Sequence, residues 1–280
     1  MSSRIGSTTD GSVSKKGMIV VESSLVATET HNALTASESL VRDDGSYAPY
    51  EYWMSLWGLR ELYAYGLDLL GDLYGRDVLD CGCGRGHVSV MLAKRGARVT
   101  AFDTSEGELA TAEGLARANG VQIKFICEPF EELSLQDESF DLLFGTFVLH
   151  HVDLARACQQ IKRVLKPGGR AVFVENSALN PLLMAARTHI CGRFGVARYG
   201  DDHEHPLTPS DIAVIREAFP NACHVHFPSL LLFRLLDFYV FKRRSPLLTA
   251  LLAKLDGVIG QIPTARRYGY LQVIHIGKSA

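Results

Sequence analysis

The chain has 280 residues, 47% of them hydrophobic, and a formal net charge of −2. That balance leaves no electrostatic footprint for nucleic acid, and the length suits one domain with a sizeable core. No run reaches the ~20 apolar residues that span a bilayer, and the Ser/Thr/Gly-rich stretch at 1–16 lacks an apolar signal core. The cysteines at 81, 83, 127, 158, 191 and 223 show no second pair at zinc spacing. They point to reduced thiols in a cytoplasmic protein without a metal.

In chain order, residues 1–42 are expected to be a flexible N-terminal segment, and 43–280 a single domain. An aromatic cluster (Tyr47, Tyr50, Tyr52, Trp53, Trp57, Tyr63, Tyr65) with leucines at 56, 59, 62 and 67 predicts a helix over 50–70. A short strand at Val78 and Leu79 then leads into Asp80, followed by Gly82, Gly84 and Gly86, and a helix begins near His87. Strand, glycine turn and helix N-terminus make a nucleotide-binding corner, because glycine reaches positive φ freely and lets backbone approach a ligand. The third glycine falls one residue too early for G-x-G-x-x-G, and no G-K-[ST] follows, so neither a dinucleotide fingerprint nor a P-loop is present. An acid before the glycines suits a ligand that carries an ammonium.

A second strand over 99–102 ends at Asp103, 21 positions after Gly82, a spacing at which a carboxylate reaches ribose hydroxyls. Thr104 and Ser105 with Glu108 predict a capping box for a helix ending near Asn119–Gly120. Strands follow at 122–126 and 140–144, the latter closed by Gly145–Thr146. Phe147-Val-Leu-His-His-Val152 comes next, then a helix over 153–165 stopped by Lys166-Pro-Gly-Gly169, and a strand over 170–174 closed by Glu175. Thr208 and Pro209 start a helix, and the last two strands are expected at 221–227 and 270–276. Two insertions, 178–207 and 228–268, leave the sheet at the carboxyl edge and are expected to form helical lids. The second is apolar on nearly every face, which demands burial, a partner copy or lipid. The triplet His203-Glu204-His205 is expected to be a surface turn.

The glycine turn, Asp103, the 147–152 segment and the Leu-Lys-Pro-Gly-Gly turn, in this order over about 76–177, resemble the class I S-adenosylmethionine (SAM)-dependent methyltransferases of the ubiquinone-biosynthesis type. The resemblance implies an α/β fold: a Rossmann-like, seven-stranded, mostly parallel sheet with a reversed last strand, plus the helical lids. It implies cofactor contacts from Asp80, Gly82, Cys83, Gly84, Asp103, Thr104 and the backbone of Gly145–Thr146. Tyr50, Trp53 or Arg60 of the aromatic helix would fold over the methionine end. Pro129 stands where the family usually carries an Asp for the adenine amino group. Phe130 would then meet the adenine, with Glu128 or Glu131 replacing the acid.

Histidine near its unperturbed pKa suits deprotonation of a hydroxyl, and a neighbouring carboxylate would orient it. His150 is thus the expected base, Glu175 its orienting partner and His151 the second choice; the plainer alternative is that both imidazoles pack in the turn. The expected activity is methyl transfer from SAM to a hydrophobic small molecule, with O-methylation ahead of C-methylation. Alternatives are a non-methylating SAM-fold enzyme, or a silent scaffold associating through its apolar helices. A homodimer and contact with a membrane surface remain open partners.

Overall fold

The computed structural model of the chain describes residues 59–193, 205–242 and 244–279. Seven strands form one sheet in the order β3-β2-β1-β4-β5-β7-β6. They are β1 (Asp77–Cys81), β2 (Arg98–Asp103), β3 (Ile123–Cys127), β4 (Phe140–Thr146), β5 (Leu165–Asn176), β6 (Cys223–His226) and β7 (Leu271–Gly277). The pairs from β3 through β5 are parallel, while β7 runs antiparallel to both β5 and β6. The expected reversal of the last strand is therefore present. Because the order turns back between β1 and β4, a crevice opens at their carboxyl ends, where open α/β sheets take ligands.

Both faces of the sheet are covered, which is why Val78, Leu79, Phe144, Val172 and Phe173 are all buried. On one face, α1 (Leu59–Leu70) and α2 (His87–Lys94) pack Leu62, Leu67, Val88 and Met91 against Val78, Phe144 and Val172. On the other, α4 (Leu154–Val164) and α6 (Pro209–Ala218) set Ile161, Ile212 and Ile215 on Leu143, Phe173 and Ile274. Beside α2, α3 (Glu106–Ala118) buries Leu115 and Ala116 against Val90.

Helix starts follow the sequence closely. Thr208 and Asp211 form a reciprocal capping box with Pro209 in the first turn, and the Asp153 carboxylate accepts from the Arg156 N–H. The box expected at 104–108 is only half made: Ser105 Oγ accepts from the Glu108 N–H at 3.3 Å. The Ser105 N–H donates instead to Asp103 Oδ1 at 3.0 Å, and Glu108 pairs with Arg85. The Pro-Gly-Gly segment also departs from expectation. It lies within β5, whose Gly168 N–H donates to Lys278 O while Lys278 N–H returns to Gly169 O, both at 2.9 Å.

The first insertion carries α5 (Pro181–His189), and the second carries α7 (Leu232–Leu236), a π-turn (Asp237–Phe241), α8 (Pro246–Ile259) and α9 (Pro263–Arg266). Buried Asp256 accepts from the N–H groups of Leu232, Phe233 and Arg234, so α8 caps α7 across space. Not all the apolar residues of these insertions are covered. Leu182, Leu247, Leu251 and Val258 are exposed, and α8 buries only Leu252 and Asp256, because it rests on α7 rather than on the sheet. Among the described residues no helix is long and apolar enough to cross a membrane. Tyr50, Trp53, His203 and Glu204 lie outside the described residues.

Candidate active site

The three glycines after β1 are required for two different reasons. A Cβ on Gly82 (φ 64°) would sit 2.5 Å from Val148 Cγ2, and one on Gly86 (φ 79°) would sit 2.7 Å from Ala112 Cβ. At Gly84 (φ 48°) nothing lies within 4 Å of the Cβ position. Gly82 and Gly86 are thus demanded by packing, and Gly84 presents bare backbone to open space. Gly86 caps α2 without a side-chain hydrogen bond, and in the first turn the Ser89 N–H turns to Asp80.

Two carboxylates flank the turn. Asp103 Oδ2 accepts from the Gly84 N–H at 2.8 Å and so fixes the open glycine from the end of β2. Asp80 is buried beneath the turn, where Ser89 Oγ donates to its Oδ2 at 2.5 Å. Burial pushes the Asp80 carboxyl up to about 7, against the Ser89 hydrogen bond, and the charge of Asp103 adds to the rise. Cys83 sits between them, its N–H donating to Phe102 O at 2.9 Å. Thr104 is exposed beside Asp103.

At the end of β4 the chain turns sharply. Phe147 takes φ 54°, a left-handed conformation costly for an aromatic residue, while its N–H donates to Val174 O at 2.9 Å. The turn lies close against the strands: a Cβ on Gly145 would meet Phe173 Cδ1 at 2.6 Å. Thr146 is held from α1 by the Tyr63 hydroxyl, whose pKa burial raises to about 12.

Glu175, with 0% exposure at the end of β5, holds this turn in place. Its Oε1 accepts from the Val148 and Leu149 N–H groups at 2.8 and 2.7 Å, and its Oε2 meets His150 Nδ1 at 2.7 Å. Facing a carboxylate, Nδ1 carries the proton, which leaves the Nε2 lone pair available. His150 lines a cavity of about 300 Å³ together with Leu149, Leu154, His205, Leu207 and Val214. His151 is exposed and lies alongside, with ring centroids 4.1 Å apart.

The adenine end differs from expectation in one respect. Phe130 is 2% exposed, with its ring set edge-on to Phe102 at 5.0 Å. That ring belongs to the core, so what Pro129–Phe130 can offer a base is backbone. Glu128 is engaged by the N–H and hydroxyl of Ser134, and Glu131 Oε1 accepts from the Asp153 N–H. Val148, Ser89 and Tyr63 were not singled out from sequence, since each acts through a long-range contact with a motif residue.

An open glycine beside a carboxylate, over a buried acid able to face an ammonium, fits the amino-acid and ribose ends of SAM. The family described as methyltransferase domain matches residues 79–173, from β1 into β5. Over that stretch, about a third of its length, the chain is similar to class I SAM-dependent methyltransferases. A ubiquinone biosynthesis O-methyltransferase of Idiomarina loihiensis is 34% identical over 157 residues, covering 52% of this chain and 61% of that protein. The chain therefore spans less than two thirds of that relative. An S-adenosylmethionine-dependent methyltransferase structure from Mesorhizobium loti shares the fold with a TM-score of 0.53 at 21% identity, covering 78% of this chain and 98% of that one. A geranyl diphosphate methyltransferase, solved with its diphosphate ligand and the SAM analogue sinefungin, gives 0.52 at 18% identity, covering 79% and 78%.

Proposed function

We propose that the methyltransferase domain O-methylates a hydrophobic small molecule, with His150 as general base and Glu175 as its positioning residue. The observation that carries this reading is the Glu175–His150 contact at 2.7 Å, made by a carboxylate that also holds the two preceding backbone N–H groups. Bound SAM would supply an electrophilic methyl group, with Asp103 and the Gly84 backbone at its ribose end and Asp80 toward its ammonium. Gly145–Thr146 would lie near the sulfonium. In this reading His150 Nε2 would take the proton of a hydroxyl entering from the cavity that His150 lines. The protein's share of the work is then orientation, exclusion of water and removal of one proton. The relatives' printed activity, O-methylation in ubiquinone biosynthesis, makes a phenolic hydroxyl on a quinone-precursor ring the first acceptor to try. The insertions lie beyond the family match, so the choice of acceptor is this chain's own.

The test is incubation with SAM and a panel of hydrophobic phenols, following S-adenosylhomocysteine (SAH) release and product mass. A methyl ether formed by wild type and lost in His150→Ala is expected. A carbon-bound methyl would favour C-methylation, and acceptor conversion without SAH would favour a non-methylating enzyme. Full turnover by His150→Ala on the true acceptor would remove the base assignment.

A further inference from the structure

A second polar cavity lies at the far side of the sheet and takes no part in the chemistry above. It measures about 280 Å³ and is lined by Tyr65, Val225, His226, Phe227, Pro228, Pro263 and Arg266. Strand register fixes its place. Thr146 pairs with Val174, Val174 with Val273, and Val273 with His226, so Thr146 and His226 stand in one row. Three strand spacings separate them, roughly 14 Å. Helix α1 reaches both ends of that row: the Tyr63 hydroxyl meets Thr146, and the Tyr65 hydroxyl lies 3.0 Å from His226 Nδ1.

The lining holds one cation, Arg266, and no carboxylate. Arg266 is half-buried, and among the described residues no carboxylate pairs with its guanidinium. His226 Nε2 is buried with no hydrogen-bond partner, since Tyr65 engages the other ring nitrogen. Around it, His275 on β7 lies 6.4 Å away by ring centroid, His224 lies beside it on the same face of β6, and Arg170 on β5 acts on His275. Burial and His224 lower the His226 pKa, so an adjacent anion is what would bring a proton to it. Arg266 and His226, whose Nε2 has no hydrogen-bond partner, line one cavity and together leave a donor set that a carboxylate or phosphate satisfies.

We propose that this cavity binds the anionic group, carboxylate or phosphate, of a small molecule through Arg266 and His226. The group is either the far terminus of an elongated amphiphile reaching toward β4, or a free small anion. The inference does not rest on the methylation reading, because the site is defined by its own residues.

Histidine NMR on the full chain tests it, with acetate, octanoate and inorganic phosphate as probes and His226→Gln to assign the resonance. At least one probe is expected to raise the pH midpoint of His226, and Arg266→Ala to weaken that binding about tenfold or more. Arg266→Lys should recover part of it. Arg267→Ala, which removes an exposed neighbour stacked on Tyr268, should leave binding intact. Octanoate binding much more tightly than acetate assigns the site to an amphiphile's terminus; equal binding of acetate or phosphate assigns it to a free anion. No movement of His226 with any probe, or equal binding by folded Arg266→Ala, overturns the proposal. The readout needs no methyl transfer, so its failure would leave the proposed reaction untouched.

Discussion

The two ends of the parallel strands are built to opposite rules, and β1 shows both within five residues. At its amino end, Asp77 pairs with Arg98 at 2.8 Å and Lys166 at 3.0 Å, and Lys166 also reaches Asp141 at 3.1 Å. The Arg98 hydrogen bond, with Lys166 adding, brings the Asp77 carboxyl down to about 2. At its carboxyl end, Asp80 has no cation beside it among the described residues, and burial drives its carboxyl up to about 7. The positive φ of Phe147 lies at that same end. One residue type thus serves as a satisfied tie across four strands at one edge, and as a charge awaiting a partner at the other. The amino edge is organised for stability, whereas the carboxyl edge keeps strain and unmet charge that a ligand can relieve.

The largest effect expected from breaking this contrast is at His150. His150→Ala should lower kcat by roughly 10²–10⁴-fold while SAH affinity, measured by calorimetry, stays unchanged. Next come the glycines, which separate packing from binding. Gly82→Ala should destabilise the fold strongly, because its Cβ meets Val148 at 2.5 Å in a left-handed backbone. Gly84→Ala, with nothing within 4 Å, should cost only about 1–2 kcal/mol of backbone strain in a thermal melt yet lose most SAH binding.

Asp80→Asn should raise the melting temperature and weaken SAH binding together. The sign follows from the pKa raised from 3.8 to about 7. The folded state holds its proton more tightly than the unfolded chain, so stability falls as pH rises between those values. Asparagine should remove that loss, giving a gain at about pH 8 that disappears near about pH 4. In wild type, SAH affinity should fall as pH drops through about 7, because an ammonium favours the ionised carboxylate.

The smallest effect is expected at the amino edge. Lys166→Ala should cost about 1 kcal/mol or less, because its side chain and those of its two partners are partly exposed, and should leave SAH binding alone. The Asp77 contribution has the opposite sign to that of Asp80. It is present above the ordinary carboxylate pKa and lost as pH falls toward about 2, so Asp77→Asn should flatten the acid limb of a stability profile. Loss of SAH binding in Lys166→Ala would show that the two edges are not independent.

Much of this was legible in the sequence because it depends on local rules. Alternation and glycine punctuation located the strands, and Thr208-Pro209 gave a helix start with its cap. The spacing from Gly82 to Asp103 brought the acid to the glycine turn, where it bonds the Gly84 N–H. His150 and Glu175 were placed side by side because both close neighbouring strands. What was hidden depends on contacts between distant residues. Nothing near Gly82 announces that Val148 fills the space a Cβ would need, or that Ser89 turns back on Asp80. The Phe130 ring lies in the core because Phe102 and Phe173 receive it there. What covers the apolar insertion was not legible for a similar reason: hydrophobicity says that a face wants cover, not which surface will supply it. In the described residues α8 leaves Leu247 and Leu251 exposed.

The Val148–Gly82 contact has a consequence for how such a chain can be re-engineered. It interlocks the turn carrying the proposed base with the glycine turn after β1, and Glu175 fastens the former from β5. Every member of that lock lies between Asp80 and Asn176, ahead of both insertions. The reactive assembly is therefore a transplantable cassette, and the segments after it are exchangeable fittings. Grafting foreign 178–207 and 228–268 segments should redirect which acceptor is chosen without dismantling the means of methylating it. A change at Val148, by contrast, would have to be matched at Gly82, 66 residues away in sequence but one methyl apart in space.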